Sequence, residues 1–167
     1  MNYWRMSFRT EINGYEMWPD CRKRGIAAIT YRTSDGKPFI GDCSRLSEDE
    51  YTAIWKEKWP ENTTGRVSLR HMAYHMKVDD IIYVKQGPYI VGKGRIREEY
   101  KYDPNILKGA KEEWEHYVVV DWEKDFPEFR CVLGADIWPV LPLNDTRLKQ
   151  VLAGEAQVRK EARKHKG

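Results

Sequence analysis

His71 and His75 stand four residues apart. On a helix that spacing puts two imidazoles on one face, and metal binding is the first chemistry such a pair could do. No Glu follows His71 as in HExxH and no third ligand falls at a suggestive spacing, so the pair reads as surface or partly buried histidines. The acidic pairs Asp79-Asp80 and Glu112-Glu113 could share a cation or a proton, yet they occupy turn-like positions in a chain with 26 acidic residues. Ser7, Ser44 and Ser68 lack the glycines of a nucleophile elbow. Cys21, Cys43 and Cys131 are odd in number and without CxxC spacing, which argues for free thiols over a disulfide framework or a zinc site. Lys93-Gly94-Arg95 is no phosphate loop, because the helix that should follow it is missing. No catalytic residue, metal site or cofactor is expected.

Binding chemistry is better supplied. The stretch from Tyr3 to Tyr31 reads as a strand, a crossing loop and a strand, and the loop region carries Ser7, Arg9, Asn13, Tyr15, Trp18 and Asp20, then the basic cluster Arg22, Lys23 and Arg24. Loops this long without regular structure are usually functional or disordered, and Trp18-Pro19 favours an ordered, extended path because proline restricts the residue before it. The stretch reads as the wall and rim of a binding pocket. A second polar, aromatic segment, Glu98 to Trp114, contains Tyr100 and Tyr102 and reads as another long loop. Two aromatic loops suit the enclosure of a flat ligand better than the making of bonds.

The elements that must position these residues follow from the pattern. Residues 3–8 form an opening strand and GIAAITY, 25–31, a buried one. Ser47-Glu-Asp-Glu is a capping box ahead of a helix whose Tyr51, Ile54, Trp55 and Lys58 or Trp59 mark its packing face and which Pro60 ends. A second short helix is expected over Val67 to Met76. The clearest unit is Val78 to Ile96, a β-hairpin with a Gln-Gly-Pro turn, and Gly92 and Gly94 in its second strand imply a strongly curved sheet. Strands are expected at Tyr117–Trp122, Phe129–Leu133 and Trp138–Leu141, and a closing helix from Asn144 to Gly154.

The 167 residues fit one domain, 1–153, with 154–167 read as a charged linker toward a missing C-terminal region. The net charge is +3, and five cations against two carboxylates in that tail account for all of it. The body is formally neutral, so polyanion binding must use local patches. Aromatic residues at 13%, with seven Trp, are the compositional signal. The sequence has no run of about 18 apolar residues and no apolar signal core, and the reading is cytoplasmic with no membrane partner.

YWRMSFR, MWPDCRKRGIAAITY, MKVDDIIYVKQGPYIVGKGRI and WEHYVVVDWEKDF, in that order, resemble the PUA-like group of domains that includes the EVE and YTH domains. They are most similar to the N-terminal DNA-binding domains of McrB-type AAA+ GTPase subunits in modification-dependent restriction systems. The resemblance covers about residues 2–145. It implies an α+β fold, a curved PUA-like (EVE/YTH-like) β-barrel flanked by short helices. It also implies a noncatalytic reader that flips a methylated base, N6-methyladenine above all, from double-stranded DNA into an aromatic cage. Trp18 and Trp114 would be the cage walls, with Ser7, Asn13, Tyr15 and Tyr102 around them. Arg9, Arg22, Lys23, Arg24, Lys85, Lys93 and Arg95 would hold the backbone. The implied partners are the remainder of its own AAA+ chain and a separate nuclease subunit. Readers of modified cytosine or methylated RNA, and an ASCH-like nuclease or amidohydrolase, stand as alternatives.

Overall fold

A computed structural model describes residues 1–8, 17–106, 114–134 and 139–166. Among them seven strands form one mixed sheet: β1 (Tyr3–Ser7), β2 (Ile26–Ile29), β3 (Ile81–Gln86), β4 (Tyr89–Tyr102), β5 (His116–Trp122), β6 (Phe129–Arg130) and β7 (Val140–Pro142). The order is β2-β5-β4-β3-β1-β7, with β6 on β4. The helices are α1 (Met17–Arg24), α2 (Glu48–Lys58), α3 (Thr63–Arg70) and α4 (Asp145–Lys166). The fold is α+β. Its sheet is an open path rather than a closed ring, with β2 and β7 as its ends among the described residues.

The hairpin forms where the pattern put it. Ile81 pairs with Arg95 and Tyr83 with Lys93, and the register slips once, between Val84 and Lys85. β4 then continues to Tyr102, through residues read as a loop: Glu98 and Glu99 are exposed, while Tyr100 and Tyr102 are partly buried and the strand stays paired with β5 to Tyr102. Its register with β5 shifts twice, which bends the sheet there. Gly92 and Gly94 answer a second need: a Cβ at 92 would lie 2.3 Å from Cζ2 of Trp18, and one at 94 would lie 2.6 Å from Trp122.

Both sheet faces are covered. β1 sends Trp4 and Met6 into the larger core, with Trp18, Ile29, Trp55, Leu69, Val118 and Val120. Its neighbour β3 sends Ile81 and Tyr83 to a second core, under Phe129, Leu133, Leu143 and Val151 of the α4 side. The period-2 alternation of the strands divides the two.

The Ser47 capping box is present, with the Ser47 hydroxyl accepting from Glu50 N and the Glu50 carboxylate accepting from Ser47 N. Trp55 is a packing residue, fully buried. Three expectations need correction. Trp18 lies on helix α1, not in an extended loop, because Pro19 sits in the first turn, where its missing N–H breaks no helical bond. α3 starts at Thr63, capped by the Asn62 side chain, and passes at His71–His75 into one π-helical turn. The last helix does not end at Gly154 but runs through it, since a glycine there lets the Phe129 ring approach to within 2.6 Å of the ideal Cβ position. No helix among the described residues is long and apolar enough to cross a membrane.

Candidate functional site

Strand β5 organises the aromatic residues. His116, Val118 and Val120 are buried in alternation, while Tyr117 and Val119 are half-buried and Asp121 is exposed, so one side of the strand faces the core; Trp114 and Glu115, just before the strand, are both buried. Trp122 ends the row, its Nε1 donating to Ile26 O at 3.0 Å.

At the Trp122 end sits Trp18. Its ring meets Trp122 edge-on at 4.7 Å, stacks on Phe8 at 5.9 Å, carries the Arg22 guanidinium at 5.8 Å and fills the space over Gly92. Only 5% of Trp18 is exposed, and these surroundings are those of a core residue. Trp114 precedes Trp122 by eight residues, about 25 Å along an extended chain. The structure therefore places the two expected cage walls toward opposite ends of β5.

The Trp114 end is built from polar groups. The ladder continues past Tyr102 and His116 through an Asp103 N–H to Glu115 O bond of 2.9 Å. The fully buried Glu115 carboxylate accepts from Thr30 Oγ1 at 2.6 Å and Tyr31 N at 3.0 Å, and pairs with Arg32 Nε at 3.3 Å. Burial raises its pKa, while those three groups pull it down. His116, also buried, lies between Tyr100 and Tyr102, at ring distances of 5.8 and 5.4 Å. Its Nδ1 is 2.7 Å from the Tyr100 hydroxyl, which accepts from Cys43 N at 3.1 Å. Burial pushes the His116 pKa down to about 3, with Arg32 lowering it further and Asp42 and the Ile40 backbone opposing, so the ring is neutral.

Among the described residues Trp114 Nε1 is buried without a hydrogen-bond partner, and His116 Nε2 has none of good geometry, although the Ile40 backbone lies near enough to raise the His116 pKa. The Glu115 carboxylate is 3.6 Å from His116 Nε2, beyond hydrogen-bond reach. Buried polar groups without partners are uncommon enough to require a cause.

The remaining expected residues divide. Ser7 accepts from Arg5 Nη1 at 3.2 Å. Lys85 is 3% exposed on the sheet face of the second core, so it is not a surface phosphate contact: its register partner is Ser7, and burial followed by nearby Arg5 lowers its pKa. Lys93 is engaged by Glu155 at 2.9 Å and Arg95 by Asp79 at 3.8 Å. Arg22 and Lys23 are exposed on α1. Arg24 bonds Asp20 at 2.9 Å and the Ile106 carbonyl at 3.0 Å, which sets the basic end of α1 against the turn that follows Tyr102. Arg9, Asn13 and Tyr15 lie outside the described residues. Sequence reading missed Thr30, Arg32, Glu115 and His116. The signal was available for His116, which alternates with Val118 and Val120 on a strand already recognised.

His71 and His75 face each other, Nδ1 to Nδ1, at 2.9 Å, and His75 Nε2 meets Glu48 Oε1 at 2.7 Å. No group of three potential metal ligands occurs among the described residues. Burial and then His75 push the His71 pKa down to about 4.

His116 and His71 both give the protein an acid-sensitive limb. Each has a folded pKa below the unfolded value near 6.5, so its contribution is whole above that pH and is lost as pH falls toward the folded value. Glu115, shifted the other way, offsets part of the loss at the low end. Between pH 6.5 and 5, His116 alone should remove about 2 kcal/mol. Urea unfolding of wild type and His116→Phe at both pH values checks this: the acid loss should be smaller in the variant, and equal losses would disprove the assignment.

The sequence pattern of the family described as "Domain of unknown function (DUF8426)" matches residues 4–132. No curated protein matches the chain. Among solved structures, the X-ray crystal structure of protein Atu2648 from Agrobacterium tumefaciens is similar at a TM-score of 0.43 and 13% identity, over 94% of this chain and 92% of that one.

Proposed function

The chain belongs to the DUF8426 family, and from the arrangement around Trp114 we propose that it is a noncatalytic reader of methylated DNA. In this reading a methylated base, N6-methyladenine first, leaves the duplex and docks at the Trp114 end of β5. The observation that carries it is the Trp114 N–H, buried and without a partner among the described residues, just beyond the end of the β4–β5 ladder where Tyr100 and Tyr102 pack on His116. A flat heterocycle supplies both things such a place lacks, a ring face for stacking and acceptors for hydrogen bonds.

Flipping a base costs a few kcal/mol and stacking returns about 1–3 kcal/mol per aromatic contact. Trp114 with Tyr102 can offset that cost. The exposed Arg22 and Lys23, carried on a helix that Arg24 ties to the Ile106 turn, supply backbone contacts close by. The bends where β4 shifts register against β5 support the curved-sheet part of a PUA-like, EVE/YTH-like reading, whose barrel closure the open sheet lacks. The same reading makes the domain the cytoplasmic targeting module of a GTP-driven restriction complex. Its partners would then be the rest of an AAA+ chain and a nuclease subunit.

The test is a fluorescence titration with duplexes that differ only in one modified base. Wild type should bind the methylated duplex more tightly than the plain one. Trp114→Ala should lower affinity for the methylated duplex by about 1–3 kcal/mol and leave binding to plain duplex unchanged. Equal binding of both duplexes by wild type would overturn the proposal.

A further inference from the structure

We infer that Arg66 and Arg70, one turn apart on α3, form a phosphate-binding fork that takes the backbone of bound DNA near the Trp114 end of β5. The anion chemistry stands on the two arginines, and its assignment to DNA rests on the reader proposal.

The two residues are four apart, which places both guanidinium groups on one face of the helix. Like charges at that spacing oppose each other unless an anion joins them. The fold makes little use of either group. Nε of each is buried without a hydrogen-bond partner, and among the described residues the Arg66 guanidinium has no ion pair either. Arg70 has Glu48 at 3.8 Å, beyond hydrogen-bond reach, and that carboxylate already meets His75 Nε2 at 2.7 Å. Both side chains are half-buried, so the stems lie against the protein while the charged ends reach water. Other cations contrast with this pair: Lys93 and Arg159 are bonded to Glu155, Arg24 to Asp20 and Arg97 to Asp121. A guanidinium offers its N–H donors in a planar fork that matches two phosphate oxygens at once, and two such forks on one face suit a single phosphodiester.

The platform is fixed on several sides. Asn62 Oδ1 accepts from Gly65 N at 2.9 Å, the Tyr51 hydroxyl donates to Arg66 O at 2.7 Å, and Ser68 Oγ accepts from Val140 N at 3.3 Å. Gly65, next to Arg66, abuts Tyr31, since a Cβ there would lie 2.8 Å from Tyr31 Cε1. The Tyr31 N–H in turn donates to the Glu115 carboxylate at 3.0 Å, and Trp114 adjoins Glu115 in the chain. This run of contacts joins α3 to the Trp114 end of β5.

The experiment measures the affinity of the full chain for a plain duplex, and for the same duplex with one N6-methyladenine, between about 50 and 200 mM salt. Arg66→Gln and Arg70→Gln should each weaken binding of both duplexes about tenfold at the low-salt end and leave the ratio between the duplexes unchanged. Each should also reduce the slope of log affinity against log salt by about 1. Arg66→Lys and Arg70→Lys keep the charge and lose the fork, so affinity should fall while the slope stays at the wild-type value. These Lys variants also keep the test decisive if a Gln variant fails to fold. Arg97→Gln, at a cation already bonded to Asp121, should change neither quantity. A wild-type slope in the folded Arg66→Gln, Arg70→Gln double variant, or an equal loss in Arg97→Gln, would overturn the inference and leave the reader proposal standing. A reduced slope in that double variant, with equal binding of plain and methylated duplexes by wild type, would keep the fork and sink the reader. If wild type binds neither duplex, both fall.

Discussion

Trp18→Ala should lower the free energy of unfolding by about 3–5 kcal/mol, the range for deleting a buried aromatic side chain. The indole occupies space that four neighbours have been shaped to leave: Phe8 stacks on it, Trp122 meets it edge-on, Arg22 covers it and Gly92 has no side chain beneath it. None of these can collapse far, since Trp122 is pinned to Ile26 O and Gly92 is paired with Val84 in the sheet. The cavity therefore persists. A double-mutant cycle sharpens the result. Gly92→Val should destabilise wild type, because its Cβ would lie 2.3 Å from the indole, and should be much less harmful, or helpful, with Ala at 18. Thermal or urea unfolding of the four proteins measures both effects. A Trp18→Ala protein that melts with wild type and loses only DNA binding would restore Trp18 to the binding wall.

That residue also shows what the sequence could and could not convey. The hairpin was legible because its strands alternate and its turn has its own chemistry, and both are local properties. The paired glycines were legible as bending points, yet their main reason, the approach of two indoles from elsewhere in the chain, is a tertiary fact. Trp18-Pro19 was ambiguous by nature: proline disfavours helix for the residue before it but is welcome in a first turn, and only the packing of Met17, Trp18 and Cys21 decides. The end of β4 was hidden by its charges, since Glu98, Glu99 and Lys101 read as loop until the tyrosines between and beyond them meet His116. Glu115 was hidden differently. A carboxylate beside a strand looks solvated until Thr30, Tyr31 and Arg32 converge on it from another strand's end.

Glu155→Ala should cost about 2–3 kcal/mol, less than a fully buried ion pair because Lys93 and Arg159 keep some exposure to water. One carboxylate oxygen accepts from Tyr83 OH at 2.5 Å, the other from Arg159, and Lys93 reaches both, the nearer at 2.9 Å. Burial acts to raise its pKa, but the bonds from Tyr83, Lys93 and Arg159 together outweigh that and hold the carboxyl below its usual range. Its contribution is therefore whole above the unfolded carboxyl pKa and is lost as pH falls through the lower, folded one. Removing the side chain leaves the buried Tyr83 hydroxyl without its acceptor and Lys93 without its counter-ion. The loss should also be local. Glu155 lies one residue beyond the point where a linker was expected to begin, so this contact keeps α4 on the sheet past Gly154. Hydrogen exchange of α4 should accelerate from residue 155 onward in Glu155→Ala, with β3 and β5 protected as before. Unchanged protection beyond residue 155 would mean that the remaining contacts of α4, Phe129 at Gly154, Val158 in the second core and the Arg159–Glu123 pair, hold the helix down without Glu155.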